Sequence, residues 1–251
     1  MSDFLVLSCE HARNRVPARF ARLFRGRGDL LASHRGHDPG ALELARACAR
    51  RLQAPLYFGA ITRLLVELNR SANHPAQFAA AKSLTIAERD SLLRQHYFPY
   101  RSQVEAEVEK AIGRGLRVVH VSVHSFTPQL DGTKRRADVG LLYDPARPGE
   151  TAFCAILKTA LASRRQDLKV RKNYPYLGKS DGFTTALRKK WTAGDYLGIE
   201  LEVNQRWPLG EMTAWRILKR DLAEALAESL AGSHAWHKSR GHSGPLGGHR
   251  P

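Results

Sequence analysis

Short apolar runs alternate with helical patterns along most of this chain. Five segments have the length and composition of buried strands: 4–8, 62–69, 117–124, 138–144 and 196–205. Apolar residues recur at helical spacing in four others: 40–53, 85–113, 151–163 and 209–230. A further short strand is predicted within 167–173. This alternation predicts an α/β fold with a mixed, largely parallel central sheet flanked by helices.

The length of 251 residues is enough for one large α/β domain, which we place at 1–231. The remaining segment, 232–251, is rich in Gly, Ser, Pro and His without apolar periodicity, so we expect a disordered tail. No apolar run approaches the roughly 20 residues of a membrane helix. A secretory signal has a basic region before its apolar run, and the N-terminus of this sequence has none. Three dispersed cysteines without a CxxC pair indicate reduced thiols and a cytoplasmic protein: Cys9, Cys48 and Cys154.

The chain is strongly basic. Lys and Arg outnumber Asp and Glu 40 to 24, which gives a formal net charge of +16. Such a charge attracts nucleic acid or small anions. The arginines are spread along predicted helices, and no zinc-finger spacing, aromatic-basic RNA motif or evident helix-turn-helix is present. We therefore favour a small anionic substrate, with a non-catalytic basic binding protein as the alternative.

The segment VVHVSVHSF, 118–126, has one apolar and one polar face. Alternate side chains of a strand share a face, so His120, Ser122 and His124 lie opposite the valines between them. His124 is near the end of the predicted strand. His120 lies about 13 Å deeper at ~3.3 Å per residue, and we interpret it as structural.

Four predicted strands end in polar clusters, at 8–11, 67–70, 124–125 and 200–204. Open α/β sheets bind ligands at the carboxyl ends of their strands, so these clusters predict one pocket. Histidines and carboxylates from separate strand ends suit a catalytic zinc with an open fourth position. Glu200 and Glu202 share a face, as a general base and a supporting group would require. Asn69 and Arg70 offer donors for a substrate carboxylate.

Eight segments together resemble, in order and over nearly 4–230, the N-formylglutamate amidohydrolase family. They are SCEHARNRVP, HDPGALELA, LLVELNR, HYFPYR, VSVHSFTP, RRADVGLLYD, NYPYLGKSDG and GIELEVNQ. The ELNR stretch is also similar to the DLNR stretch of aspartoacylases and succinylglutamate desuccinylases, in the wider zinc-carboxypeptidase-like clan. The resemblance implies a zinc-exopeptidase-like (phosphorylase/hydrolase-like) α/β fold.

The same resemblance implies one zinc ion per chain and hydrolysis of a small anionic N-acyl amino acid. The implied reaction converts N-formyl-L-glutamate and water to formate and L-glutamate, as in histidine degradation. By similarity, His11 and His124 are zinc ligands, Glu202 is the general base, and Arg70 binds the substrate carboxylate. The alternative substrate is another N-acyl amino acid or a peptide-like amide.

The third metal ligand is open in the sequence. In the clan, a glutamate follows the first histidine by three positions, whereas this chain has Asn14 there. Asp38 or Glu10 would then complete the site. We favour Asp38, because Glu10 and His11 are adjacent on extended backbone and point to opposite faces. A helix N-cap is the competing role for Asp38.

Further substrate contacts are predicted from two segments. Arg136 and Asp138 lie at the start of the predicted strand 138–144, Arg136 just before it, and an arginine there could hold the second carboxylate of glutamate; a salt-bridged strand start is the alternative. Tyr174 and Tyr176 lie in a turn-rich loop that could close over the substrate, with aromatic packing as the alternative.

Overall fold

The computed structural model describes residues 2–240. Its main sheet has six strands in the order β2-β1-β3-β8-β6-β7, and β4 pairs with β5 in a separate ribbon. The strands are β1 (Asp3–Cys9), β2 (Leu56–Phe58), β3 (Arg117–Phe126), β4 (Gln129–Leu130), β5 (Thr133–Lys134), β6 (Val139–Leu142), β7 (Val170–Lys172) and β8 (Tyr196–Asn204). Within the main sheet, only the β6–β8 pairing is antiparallel. The predicted mixed, largely parallel sheet is confirmed.

Helices cover both faces of this sheet. The α-helices are α1 (Gly28–Ala32), α2 (Ala41–Leu52), α3 (Ile86–Leu92), α4 (Phe98–Gly113), α5 (Pro148–Arg164), α6 (Phe183–Arg188) and α7 (Met212–Arg240). Helices α2, α5 and α7 pack with Val119, Val121 and Val123 in one core. Helices α4 and α6 and the segment 61–68 pack in a second core that contains Val118. The polar face of β3 therefore points into the layer formed by α4, α6 and the segment 61–68.

Strand β3 is buried along its whole length, because it lies between two parallel neighbours and two helical layers. Deep in this strand, His120 contacts the Tyr196 hydroxyl at 2.7 Å and the Ser8 hydroxyl at 2.8 Å. Burial lowers the pKa of His120 to about 4. This histidine is a neutral, hydrogen-bonded core residue, in line with its predicted structural role.

The predicted strand at 62–69 is wrong. The segment forms consecutive turns, in which the Leu65 and Val66 amides donate to the Thr62 carbonyl at 3.1 and 3.3 Å. The place beside β1 is taken instead by β2, with Ser8 opposite Tyr57. The segment is nevertheless apolar because it packs in the second core, and an apolar run by itself does not distinguish a strand from another buried conformation.

The predicted helix 85–113 is present, with a capping box between Thr85 and Glu88 at its start. It contains a π-helical turn at Leu93–Tyr97, which ends two residues before Pro99 at the start of α4. Proline has no amide N–H to donate within a helix, and a π-helical turn accommodates the missing hydrogen bond. The last helix, α7, continues to Arg240, beyond its predicted end at Leu230. The rest of the predicted tail, 241–251, lies outside the described residues. None of the described helices is long and apolar enough to cross a membrane.

Candidate metal centre and substrate cleft

Three buried side chains from distant segments converge beside the end of β3. His11, Asp38 and His124 each offer one ligand atom, and these atoms lie within 4.8 Å of one another. Asp38 Oδ2 is 2.9 Å from His124 Nδ1 and 3.3 Å from His11 Nδ1. The backbone fixes this approach, because the Asp38 amide donates to the His11 carbonyl at 2.9 Å. Both imidazole rings therefore direct Nδ1 toward the same carboxylate oxygen.

Asp38 does not cap helix α2. The N-cap position is Gly40, which has left-handed backbone (φ 79°), and no side chain caps the helix there. The helix-cap role is therefore wrong, and the side chain of Asp38 lies beside the two histidines instead.

The second nitrogen of each histidine faces a buried carboxylate. His11 Nε2 lies 2.5 Å from Glu67 Oε1, and His124 Nε2 lies 3.0 Å from Glu10 Oε2. In metal sites, a ligating histidine commonly donates its other N–H to a carboxylate, which fixes the tautomer and the ring orientation. Two imidazole nitrogens and one carboxylate oxygen are also a usual donor set for catalytic zinc. The residues present thus fit a divalent metal ion.

Glu10 lies on the far side of His124 from Asp38 and is not one of the three converging groups. It accepts hydrogen bonds from the Tyr100 hydroxyl at 2.8 Å and from the Ser122 hydroxyl. Glu10 is therefore positioned to orient the His124 ring. The sequence had offered it instead as a candidate metal ligand.

Glu67 has an equivalent position behind His11; the sequence placed it in the polar cluster 67–70 without an individual role. Burial would raise its pKa, but Arg63 and His11 outweigh burial and lower that pKa below its ordinary value. Arg63 Nη2 lies 2.7 Å from Glu67, and Arg63 Nη1 lies 3.4 Å from Asp38. Arg63 was missed. Its signal was a charged side chain inside the run TRLLVELN, four residues before Glu67.

We expect Glu67→Gln to weaken metal binding by about 10–100-fold, because the substitution removes the negative charge that orients and polarises His11. The measurement is competition for zinc against a chromophoric chelator. Glu109→Gln, on the exposed side of α4, is the matched control and should bind zinc as the unmodified protein does. Equal affinity in both variants would contradict the role of Glu67.

Glu202 lies next to His124 across the β3–β8 pairing and is 4% exposed. Its Oε2 atom is buried without a hydrogen-bond partner among the described residues. Burial raises the pKa of Glu202 to about 8. A buried carboxyl group with a perturbed pKa that lines a cleft is typical of a functional site. Glu200 lies on the same face of β8, opposite Ser122.

One cleft of about 180 Å³ joins these groups. This volume is below the range of about 300–1,000 Å³ that is common for drug-sized ligands, so the cleft suits a small molecule. Its described lining residues are His11, Asp38, Arg63, Asn69, Arg70, His124, Ser125, Tyr176, Leu177, Ser180, Asp181, Glu200 and Glu202. Both glutamates, Asn69, Arg70 and Tyr176 are therefore brought to the predicted place. Ser125 was predicted at this pocket as part of the polar cluster 124–125, whereas sequence reasoning missed Leu177 and Ser180, which carry no distinctive signal.

Arg136 and Asp138 do not line this cleft. They lie in another groove together with Arg206. Asp138 pairs with Arg206, accepts from the Trp207 indole at 2.9 Å, and is buried. For Asp138, this ion pair corresponds to the salt-bridged strand start, because the start of β6 lies beside the end of β8.

Tyr174 is also absent from the described lining of the cleft. Its ring packs edge-on against Phe126, with ring centres 6.3 Å apart. Aromatic packing, the alternative for this residue, is what the structure shows. Tyr176, two residues later, lies at the cleft, where it accepts a hydrogen bond from Arg135 at 3.1 Å.

Comparison with known proteins identifies a matching family and two similar crystal structures. The family model of N-formylglutamate amidohydrolases matches residues 4–207. The crystal structure of a gene product from Agrobacterium tumefaciens is 27% identical, covers 92% of this chain and 91% of its own, and has a TM-score of 0.78. The crystal structure of N-formylglutamate amidohydrolase from Ralstonia eutropha is 19% identical, with 95% and 96% covered and a TM-score of 0.66, which shows a shared fold.

No curated protein matches the chain significantly. The family match nevertheless spans most of the chain and includes the three converging side chains and every described lining residue of the cleft. The chain belongs to the N-formylglutamate amidohydrolase family and is a hydrolase that acts on a linear amide.

Proposed function

We propose that this protein is a metal-dependent amidohydrolase that cleaves the acyl group from a small N-acyl amino acid. N-formyl-L-glutamate, hydrolysed to formate and L-glutamate, is the reference substrate that the family implies. The observation that carries the proposal is the convergence of two histidines and Asp38 in a cleft that also holds an unpartnered Glu202. The further proposals of a cytoplasmic enzyme of histidine degradation rest on the family resemblance and on three buried free cysteines.

His11, Asp38 and His124 would hold the metal, and zinc is the ion that their donor set favours. When bound, such an ion supplies Lewis acidity, which polarises the scissile carbonyl group and lowers the pKa of water. Glu202 accepts a proton from the attacking water at Oε2 and returns it to the leaving nitrogen. No neighbouring hydrogen bond competes for that oxygen among the described residues.

Asn69 and Arg70 bind the α-carboxylate of the substrate in this proposal. Arg70 reaches the cleft from the turn after 62–69, where its guanidinium donates to the Asp181 carbonyl. Asn69 is held by the Phe183 amide, which donates to its Oδ1 atom at 2.8 Å. Fixing the carboxylate orients the acyl group toward the metal-ligand cluster and replaces random encounter by a defined geometry.

A second candidate is the hydrolysis of an N-acyl amino acid other than N-formyl-L-glutamate. The observation that favours it is the position of Arg136 outside the cleft. The distal carboxylate of glutamate then finds no free cation among the described lining residues, since Arg63 is paired with Glu67 and Arg70 is assigned to the α-carboxylate.

Metal content and hydrolysis measured together test the proposal. We expect about one zinc per chain and hydrolysis of at least one N-formyl amino acid, with both lost in His124→Ala. His96→Ala is the matched histidine control on the helical segment before α4 and should keep both. Neither metal nor hydrolysis in the unmodified protein, even after zinc is supplied, would contradict the proposal. Nucleic-acid binding with a steep salt dependence would then favour the basic binding protein.

A further inference from the structure

The inner part of the cleft contains a carboxylate that the hydrolytic step does not need. Glu200 precedes Glu202 by two residues on the same face of β8, so it lies about 6.6 Å farther from the carboxyl end of the strand at ~3.3 Å per residue. It lines the cleft and is partly exposed there. Thr184 donates one hydrogen bond to its Oε1 atom at 3.2 Å. Within the described residues, Glu200 forms no ion pair, so its charge is open to a ligand.

Glu200 also lies beside the group assigned to the α-carboxylate. A Cβ atom placed on Gly182 would be 3.1 Å from Glu200 Oε1 and 3.5 Å from Asn69 Oδ1. Both side chains thus border the same small space, which a larger residue at position 182 would fill. An amino acid held through Asn69 and Arg70 would carry its own side chain within reach of Glu200.

The charge of the cleft does not suit a second carboxylate. Its described lining contains two cationic side chains, Arg63 and Arg70. Arg63 is engaged by Glu67 at 2.7 Å, and Arg70 is taken by the α-carboxylate in the proposed function. Asp181 and Glu200 line the cleft as well, in addition to the proposed metal ligand Asp38. An anionic side chain would therefore meet like charges in a partly desolvated space, which is unfavourable.

We propose that Glu200 is a specificity-determining residue that selects N-acyl amino acids with a cationic side chain, an ammonium or a guanidinium group. This inference rests on the proposed amidohydrolase function and names its substrate class. An ion pair with a partly buried carboxylate gives a larger discrimination than a hydrophobic contact, because the wrong substrate leaves the charge unpaired.

Three N-formyl substrates test the inference with the zinc-loaded protein: the lysine, methionine and glutamate derivatives. These have cationic, neutral and anionic side chains of comparable length. We expect kcat/KM for N-formyl-L-lysine to exceed that for N-formyl-L-glutamate by about 100-fold or more. In Glu200→Gln, the lysine-to-methionine ratio of kcat/KM should fall about 10-fold or more, mainly through a higher KM for lysine.

Asp181→Asn is the matched variant, since it removes the charge of another carboxylate that lines the cleft. Its lysine-to-methionine ratio should fall less than that of Glu200→Gln, because the inference assigns selection to Glu200 rather than to the total charge. Metal content and the thermal midpoint of each variant show whether it has folded. The preference of the unmodified protein is a test that needs no variant.

The outcomes separate the two proposals. The specificity inference would be overturned if the methionine derivative is hydrolysed and the glutamate derivative has a kcat/KM equal to or higher than that of the lysine derivative. This result would leave the amidohydrolase function intact. An unchanged lysine-to-methionine ratio in a folded Glu200→Gln protein would also overturn it. Failure to hydrolyse all three substrates, with zinc bound, would contradict the proposed function itself.

Discussion

Glu202→Gln is expected to lower kcat by about 10²–10⁴-fold while zinc remains bound. The substitution keeps the size of the side chain but removes its capacity to accept and return a proton, a capacity that typically contributes this factor. The proposed metal ligands are separate residues, so metal content should not change. The measurements are kcat on the best N-formyl substrate and zinc by elemental analysis. Glu109→Gln, an exposed carboxamide substitution on α4, is the control.

The same variant has an expected effect on stability. Burial raises the pKa of Glu202 to about 8, so between its ordinary range and pH 8 the folded state binds a proton that the unfolded state has lost. Stability contributed by the neutral Glu202 is therefore lost as pH rises through this interval. After removal of metal, Glu202→Gln should be more stable than the unmodified protein near pH 8, with a smaller difference near pH 5. Thermal melts at the two pH values measure this.

Three results would contradict what is assigned to Glu202. Turnover by the variant within about 10-fold of the unmodified rate would exclude a role as the proton acceptor. A loss of zinc in parallel with activity would indicate instead that Glu202 supports the metal site. A pH-independent stability difference would show that the side chain is more hydrated than its burial implies.

Arg188→Met should destabilise the protein by about 3–5 kcal/mol, the usual cost of leaving a buried charge without its partner. Glu150 is completely buried and would lose its nearer cationic partner, because the other one, Arg147, lies 3.9 Å away. It accepts from Arg188 Nε at 2.9 Å, from the Gly198 amide at 2.9 Å and from the Asp144 amide at 2.8 Å. Methionine preserves much of the apolar volume of arginine, so the loss arises mainly from charge and hydrogen bonds.

Urea denaturation of three variants measures this effect. The double variant Glu150→Gln with Arg188→Met should lose less stability than the sum of the single variants, because the two side chains share one network. Arg51→Met breaks an exposed ion pair with Glu224 and should have a much smaller effect. A loss below about 1 kcal/mol in Arg188→Met would mean that water replaces the missing donors.

The ion pair between Arg188 and Glu150 also concerns the cleft. Arg188 donates to the Gly178 carbonyl at 2.6 Å and to the Gly198 carbonyl at 2.6 Å. Gly178 belongs to the loop that carries Tyr176, and Gly198 belongs to the strand that carries Glu200. The buried pair thus joins the loop at the cleft to β8. Sequence reasoning found no role for either residue, because a long-range ion pair has no local pattern.

Much of the fold could be predicted from local composition. Strands β3 and β8 are central, so both of their faces are buried and their valine, isoleucine and leucine content is high. The capping box at Thr85 is local as well. The strand prediction for 62–69 failed for a physical reason. The segment is buried in the second core as a series of turns, and burial alone selects apolar residues without specifying backbone conformation.

The sequence by itself determined the fold class, the family resemblance and the chemical types at the strand ends, because these depend on composition and on alternation within one segment. Only the tertiary structure decided that Asp38, rather than Glu10, lies between the two histidines, and that Arg136 lies outside the cleft. It also revealed the roles of Glu67 and Arg63. These groups meet across separations of 25 residues or more in the chain in most cases, and only the packed backbone sets distances of that kind.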